Sequence, residues 1–396
     1  MIDVRAHLAR KPLLFDGGMG TYYKAKPGTE CEQGNLLDPA GVRKVHREYL
    51  AAGAEAIKTN TFGLPRMAAA RQPDWQALAR AGWKLAAEAA VETGAAVFAD
   101  LGPAPDTEAA PAGSIYTAVA RCFVEQGAKN FLFETLSSDA GVLEAVQAVK
   151  AQVPDAFVLV SFAVLPDGYT REGMYSKDLV RRMTESGIVD AVGFNCVSAP
   201  GAMRTLVQQL GSTALPLSVM PNAGYPVVTR TQVKYQGKPE YFAKELARIA
   251  AEGVRILGGC CGTTPAHIAA LRAALDSLPA VEKAAPAVQV STPEAPTVEK
   301  DDAFLRKLNA GKKVIAIELD SPKDADMTNY LAGAKRLQAA GADLLTIADC
   351  PIARARMDSS LVACRVHREL GLCTLPHMTC RDRNLNATKA LLLGLY

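Results

Sequence analysis

The sequence predicts an α/β protein: a (β/α)8 barrel, then a linker, then an incomplete second β/α barrel. Three observations carry this prediction. Between Leu13 and Leu257, eight short apolar or β-branched runs alternate with longer stretches of helical spacing. Nearly every run is followed by a polar or glycine residue, as expected if all strands open their carboxyl ends onto one face. After a proline-rich stretch the same alternation resumes for three more runs.

The predicted strands are Leu13–Phe15, Ala56–Lys58, Ala96–Ala99, Asn130–Phe133, Val158–Phe162, Ala191–Phe194, Leu215–Val219 and Arg255–Leu257. Between them, Val42–Ala52, Trp75–Glu92, Ala140–Ala151 and Lys177–Ser186 have the apolar spacing of helices. A doubly wound open sheet would also alternate in this way. It gives no reason, however, for polar residues at so many strand ends: Asp16-Gly17-Gly18, Thr59-Asn60-Thr61, Asp100, Glu134-Thr135, Asn195-Cys196, Asn222 and Cys260-Cys261. Residues 279–300 hold Pro279, Pro286, Pro293 and Pro296 among Ala, Val, Glu and Ser without any period. They divide the chain into a barrel over residues 1–278, a tether, and a second unit over residues 301–396. In that unit strands are predicted over Val314–Leu319, Asp343–Ile347 and Leu372–Leu375. Helices are predicted over Asp326–Ala340, over Met357–Leu370 and from Asn386. Three strands cannot close a barrel and leave an edge unpaired.

Composition excludes several classes. The chain has 396 residues, 49% of them hydrophobic and 21% charged, enough for two buried cores. Net charge is +3 from 44 basic and 41 acidic residues, with no block of like charge to bind nucleic acid or an anionic membrane. No apolar run is long enough to span a bilayer, and Met1-Ile2-Asp3-Val4-Arg5 does not begin a signal peptide. Nine irregularly spaced cysteines then fit a reducing cytoplasm better than a disulfide framework.

The stretch Gly258-Gly259-Cys260-Cys261-Gly262 carries the most chemistry. Adjacent cysteines are poor disulfide partners, yet both thiolates can reach one metal ion, and the glycines free the backbone to wrap around it. Cys196 stands at another strand end. Three thiolates with no evident fourth ligand suggest zinc with one position open for a substrate thiol. The competing reading is buried, inert cysteines, which are common in apolar interiors. Asp16 and Gly17 either begin a turn or aim a carboxylate and backbone N–H groups at an amino acid. Glu134 follows an apolar run, where a carboxylate needs a cation: a substrate ammonium, or a nearby Lys or Arg.

Asp16-Gly17-Gly18-Met19-Gly20-Thr21, Thr59-Asn60-Thr61-Phe62, Phe133-Glu134-Thr135, Gly193-Phe194-Asn195-Cys196, Pro221-Asn222-Ala223-Gly224 and Gly258-Gly259-Cys260-Cys261-Gly262 together resemble the homocysteine S-methyltransferase family. That family includes the homocysteine-binding module of cobalamin-dependent methionine synthase and betaine–homocysteine methyltransferase. The resemblance covers residues 10–278. It implies a barrel in which Cys196, Cys260 and Cys261 hold Zn2+, while Asp16, Gly17, Glu134 and Asn195 lie at the homocysteine site. Lys58 departs from it, since relatives usually carry Glu or Gln before Thr-Asn-Thr.

The second unit, through Ala316-Ile317-Glu318-Leu319, Pro322, Leu345-Thr346 and residues 377–384, resembles the start of methylenetetrahydrofolate reductase. There the resemblance implies FAD in a complete barrel and Glu318 as general acid towards the folate. Read alone, Glu318 is a strand-end carboxylate, and His377 and Cys380 are packing or flavin contacts rather than metal ligands. The chain resembles the front part of a bifunctional enzyme whose reductase is cut short, with no reductase activity expected of this length.

The expected activity is methyl transfer to homocysteine from S-methylmethionine, S-adenosylmethionine or methyltetrahydrofolate. A homocysteine-presenting module that needs a cobalamin or folate partner is the alternative. A flavin reductase with a non-catalytic front domain ranks last.

Overall fold

The computed structural model describes residues 2–26, 28–228, 233–235, 237–278, 303–351, 354–380 and 383–395. It divides into two compact units, Met1–Ser291 and Thr292–Tyr396. The proline-rich tether read from the sequence at 279–300 lies outside the described residues.

In the first unit eight parallel strands form one sheet: β1 Leu13–Leu14, β2 Ala56–Lys58, β3 Ala96–Leu101, β4 Asn130–Leu136, β5 Phe157–Phe162, β6 Ala191–Asn195, β7 Leu217–Met220 and β8 Ile256–Leu257. β1 pairs with β8, and a parallel bridge from Phe15 to Ala56 brings β1 to β2 and closes the barrel. The expected (β/α)8 architecture is the one observed. β2 to β6 are buried at nearly every position, because the barrel interior covers one face and helices cover the other. Phe15, Phe98, Leu132, Leu159 and Met220 fill the inside, and Val4 and Leu8 of the helix Val4–Leu8 pack with them. The larger core, with Leu14, Ile57, Phe131, Phe133 and Val160, lies between strands and helices.

Local chemistry starts the helices where the sequence allows. Asp38 caps Pro39–Ala51 by accepting from Gly41 N at 3.1 Å, with proline at the first helical position. Thr264 and His267 form a capping box at the start of Pro265–Asp276, just after the paired cysteines. One feature has no counterpart in the sequence reading: an antiparallel hairpin, Pro226–Val228 with Val233–Tyr235.

The second unit contains β9 Ala316–Glu318, β10 Leu344–Ile347 and β11 Cys373–Pro376 in one parallel sheet of that order. The helices Thr328–Ala339, Ser359–Leu370 and Leu385–Leu395 alternate with them. Met327, Tyr330, Leu345, Ile347, Val362 and Val366 form its core. Glu318, at the end of β9, is exposed.

Candidate functional site

Parallel strands in a closed barrel deliver their carboxyl ends to one face, so residues far apart in sequence meet there. Cys196 leaves β6 with φ +59°, followed by Val197 at +31°, and its N–H donates to Met220 O at 3.1 Å. Cys260 and Cys261 leave β8. Cys260 N donates to Pro221 O at 2.9 Å, and Ala223 N donates to Cys261 O at 2.9 Å. β6, β7 and β8 are therefore tied together by backbone hydrogen bonds immediately around the sulfurs.

The three Sγ atoms lie within 4.8 Å of one another, and Cys196 Sγ is 3.8 Å from Cys261 Sγ. A tetrahedral ion with metal–sulfur bonds of about 2.3 Å requires sulfur–sulfur edges of about 3.8 Å. The donor set and its spacing therefore fit zinc. Among the described residues, no other group of three His, Cys, Asp or Glu has this geometry. Within the cluster, hydrogen bonding with Cys196 and then Cys260 pulls the Cys261 thiol down to about 3. Hydrogen bonding with Cys260 and then Cys261 pushes Cys196 well above its ordinary value. Tyr235 of the hairpin also hydrogen-bonds Cys261 and packs over Gly262.

Beside the sulfurs lies a buried polar group from four neighbouring strand ends. Asp16 follows β1, Lys58 ends β2, Asp100 lies in β3 and Glu134 lies in β4. They are 1%, 4%, 3% and 5% exposed. Lys58 Nζ sits 3.5 Å from Glu134 Oε2 and donates to Gly259 O at 3.4 Å. Burial alone would lower the Lys58 pKa, but Glu134 and Asp16 outweigh it and hold the ammonium well above its usual range. Burial pushes the Asp16 and Glu134 carboxyls up to about 7 each, and Asp100 well above the usual carboxylate range. Asp16 Oδ2 accepts from Lys58 N at 3.0 Å, whereas Asp16 Oδ1 and Asp100 Oδ1 are buried without a hydrogen-bond partner.

Asn195 connects the two groups. Its amide nitrogen donates to Glu134 Oε2 at 3.1 Å and Thr135 Oγ1 at 2.8 Å, and lies 3.8 Å from Cys260 Sγ. Its amide oxygen accepts from Thr135 N at 2.9 Å and Ser161 Oγ at 2.8 Å. Gly17 is held so closely that an added Cβ would come within 3 Å of Thr263 Oγ1 and the Tyr49 ring. Gly18 N then donates to Thr263 Oγ1 at 2.9 Å, and Thr263 Oγ1 donates to Cys260 O at 2.6 Å, joining the β1 turn to the cysteine loop.

Cys196, Cys260, Cys261, Asp16, Gly17, Glu134 and Asn195 are thus brought to one face of the first unit. Glu318 belongs to the second unit. Past the ends of β10 and β11, Asp349 Oδ2 accepts from Thr379 N at 2.8 Å, and His377 N donates to Ile347 O at 2.9 Å. Tyr235 escaped the sequence reading because it lies on a hairpin outside the strand–helix alternation. Asp100 was visible only as one more polar residue near a strand end.

A family model described as homocysteine S-methyltransferase matches residues 13–275, and one described as methylenetetrahydrofolate reductase matches residues 303–396. The methionine synthase of Mycobacterium tuberculosis is 32% identical over 312 residues, covering 72% of this chain and 26% of that protein. The chain thus spans about a quarter of the length of the methionine synthases it matches. The homocysteine S-methyltransferase of Escherichia coli is 29% identical over 296 residues, covering 66% of this chain and 94% of that protein. The crystal structure of the homocysteine methyltransferase MmuM from Escherichia coli in its metallated form superposes with a TM-score of 0.56 at 25% identity, covering 68% of this chain and 99% of that one. Its apo form gives 0.52 at 28%, covering 67% and 96%. With the matched residues spanning the barrel from β1 through the helix after the paired cysteines, the chain belongs to the homocysteine S-methyltransferase family and carries a methylenetetrahydrofolate reductase-like segment behind it.

Proposed function

We propose that residues 1–278 transfer a methyl group to the thiol of L-homocysteine, giving L-methionine, with Zn2+ held by Cys196, Cys260 and Cys261. The observation that carries this reading is the three-sulfur cluster next to buried carboxylates with unpartnered oxygens. Bound zinc supplies an open position where a substrate thiol loses its proton at neutral pH. The chain's own residues position the rest. Asp16, Gly17 and Glu134 lie where the amino-acid end of the substrate belongs. Asn195 fixes Glu134 beside Cys260, and so fixes the distance between that end and the sulfur.

The transfer itself is an in-line displacement, and positioning is the barrel's main contribution. The substrate sulfur forms a bond to the methyl carbon as the donor's bond to that carbon breaks. The electron pair leaves with the donor, and the thiol proton goes to solvent. A sulfonium donor, S-methylmethionine or S-adenosylmethionine, departs as a neutral thioether and needs no further activation. Methyltetrahydrofolate is the third donor, favoured by the reductase-like segment.

A second reading has its own support: the methionine synthases match over only about a quarter of their length. On that reading the barrel presents homocysteine to a cobalamin- or folate-carrying partner. For residues 303–396 we propose the opening part of an FAD-binding reductase barrel, with Glu318 as general acid when the barrel is whole. Nine irregularly spaced cysteines suit a reducing cytoplasm, and among the described residues no helix is long and apolar enough to cross a membrane.

Methionine formation by the zinc-quantified protein, offered homocysteine with each donor in parallel, tests this. Turnover with a sulfonium donor establishes a self-sufficient methyltransferase. One zinc per chain without turnover from any donor supports the presenting module instead.

A further inference from the structure

Lys58 places a lysine ammonium among the buried carboxyls where the substrate's own ammonium is to be received. Its side chain is 5% exposed, and its Nζ lies 3.5 Å from Glu134 Oε2. Glu134 also accepts from Asn195 Nδ2 at 3.1 Å. The Glu134 carboxylate is therefore already neutralised and hydrogen-bonded by the protein. The oxygens left over are elsewhere. Asp16 Oδ1 and Asp100 Oδ1 are both buried and both without a partner. An unpaired buried carboxylate oxygen is costly, and two of them on the strands that flank Lys58 call for a cationic donor with several N–H groups. β1 and β3 flank β2, so these two carboxyls sit on either side of Lys58 at the face that carries the cysteines.

We infer that Lys58 serves as the counter-cation of Glu134, and that the substrate's ammonium is received by the free oxygens of Asp16 and Asp100. This rests on the reading of the substrate as an amino-acid thiol and deepens it: Asp100 becomes a binding residue, and Glu134 becomes a positioning residue acting through Lys58. Three carboxyls face one lysine, so one further cation improves the charge balance of this buried group, and a second anion would not. The site is thereby built to select thiols that carry an α-ammonium.

The test is calorimetric binding of two thiols to the zinc-loaded full chain: L-homocysteine, and 4-mercaptobutanoic acid, which lacks only the amino group. The unmodified protein is expected to prefer homocysteine by about 30-fold or more, the scale of a charge-assisted hydrogen bond to a buried group. Asp100→Asn is expected to bring that preference below about 5-fold, the loss of one charged acceptor. The double variant Lys58→Met, Glu134→Gln removes the internal ion pair as a unit and is expected to keep the preference, whatever it does to affinity for both thiols. Because it leaves Asp16 and Asp100 in place, it decides the matter even if Asp100→Asn fails to fold. Collapse of the preference in the double variant, or equal binding of the two thiols by the unmodified protein, overturns the inference. Failure of zinc-loaded protein to bind any thiol instead overturns the methyltransferase reading beneath it.

Discussion

Cys196, Val197 and Thr135 hold φ values of +59°, +31° and +61°, in the left-handed region that non-glycine residues avoid. Each such residue costs about 1–3 kcal/mol, and the cost persists only where the surroundings impose the conformation. Here all three lie at the ends of β4 and β6, and the turn at Cys196 brings its sulfur towards Cys260 and Cys261. Cys260→Ala leaves two thiolates, so the expected result is loss of stoichiometric zinc by elemental analysis, together with loss of methyl transfer. A second prediction concerns Asp16. Its carboxyl, held near pH 7 against an ordinary 3.8, binds its proton more tightly folded than unfolded. It therefore costs stability progressively as pH rises from about 4 to about 7, and the cost stays level above that. Thermal melts of the metal-free protein should show Asp16→Asn matching the wild type near pH 4 and exceeding it by pH 8. The cysteines were legible in the sequence because paired cysteines between glycines have few structural explanations. A cation for Glu134 was anticipated, but its identity was not, since a lysine at the end of an apolar run gives no sign of which carboxylate it will meet. Asp100 stayed silent for a related reason: an orphaned oxygen is a property of packing.

At the level of elements, the site depends on how closely neighbouring strands approach. Gly193 on β6 is registered against Ser218 on β7, and a Cβ added there would lie 2.3 Å from Ser218 O and 2.5 Å from Ser218 Cβ. Backbone cannot yield as a flexible side chain can. Gly193→Ala should therefore push β6 from β7, two residues before Asn195 and three before Cys196. We expect a loss of about 2 kcal/mol, within the range of overpacking substitutions. The accompanying fall of the melting temperature should come with weaker zinc retention against a chelator; unchanged zinc affinity would mean that strand spacing does not set the sulfur positions. The alternation of runs marked the strands well because parallel strands buried on both faces read as unbroken apolar segments. It was less able to mark their ends. β3 runs to Leu101, so Asp100 lies within the strand and its N–H donates to Thr59 Oγ1 at 3.0 Å. A polar residue ending an apolar run had read as the beginning of a loop.

For the whole molecule, the two units carry separate cores: a barrel around Phe98, Leu132 and Leu159, and a three-stranded unit around Leu345, Ile347 and Val366. No residue of the second core contributes to the sulfur cluster. Residues 1–278 produced alone should consequently bind one zinc and melt cooperatively; failure to fold would refute the proposed independence of the barrel. The most direct test of the central claim is the sulfur count around zinc, measured by X-ray absorption on the 396-residue protein before and after homocysteine is added. Three cysteine sulfurs are expected first, and a fourth sulfur at a similar distance of about 2.3 Å once homocysteine is bound. Zinc that gains no sulfur from homocysteine, or methyl transfer that continues at full rate after the zinc is stripped, would contradict the claim that this cluster activates the substrate thiol.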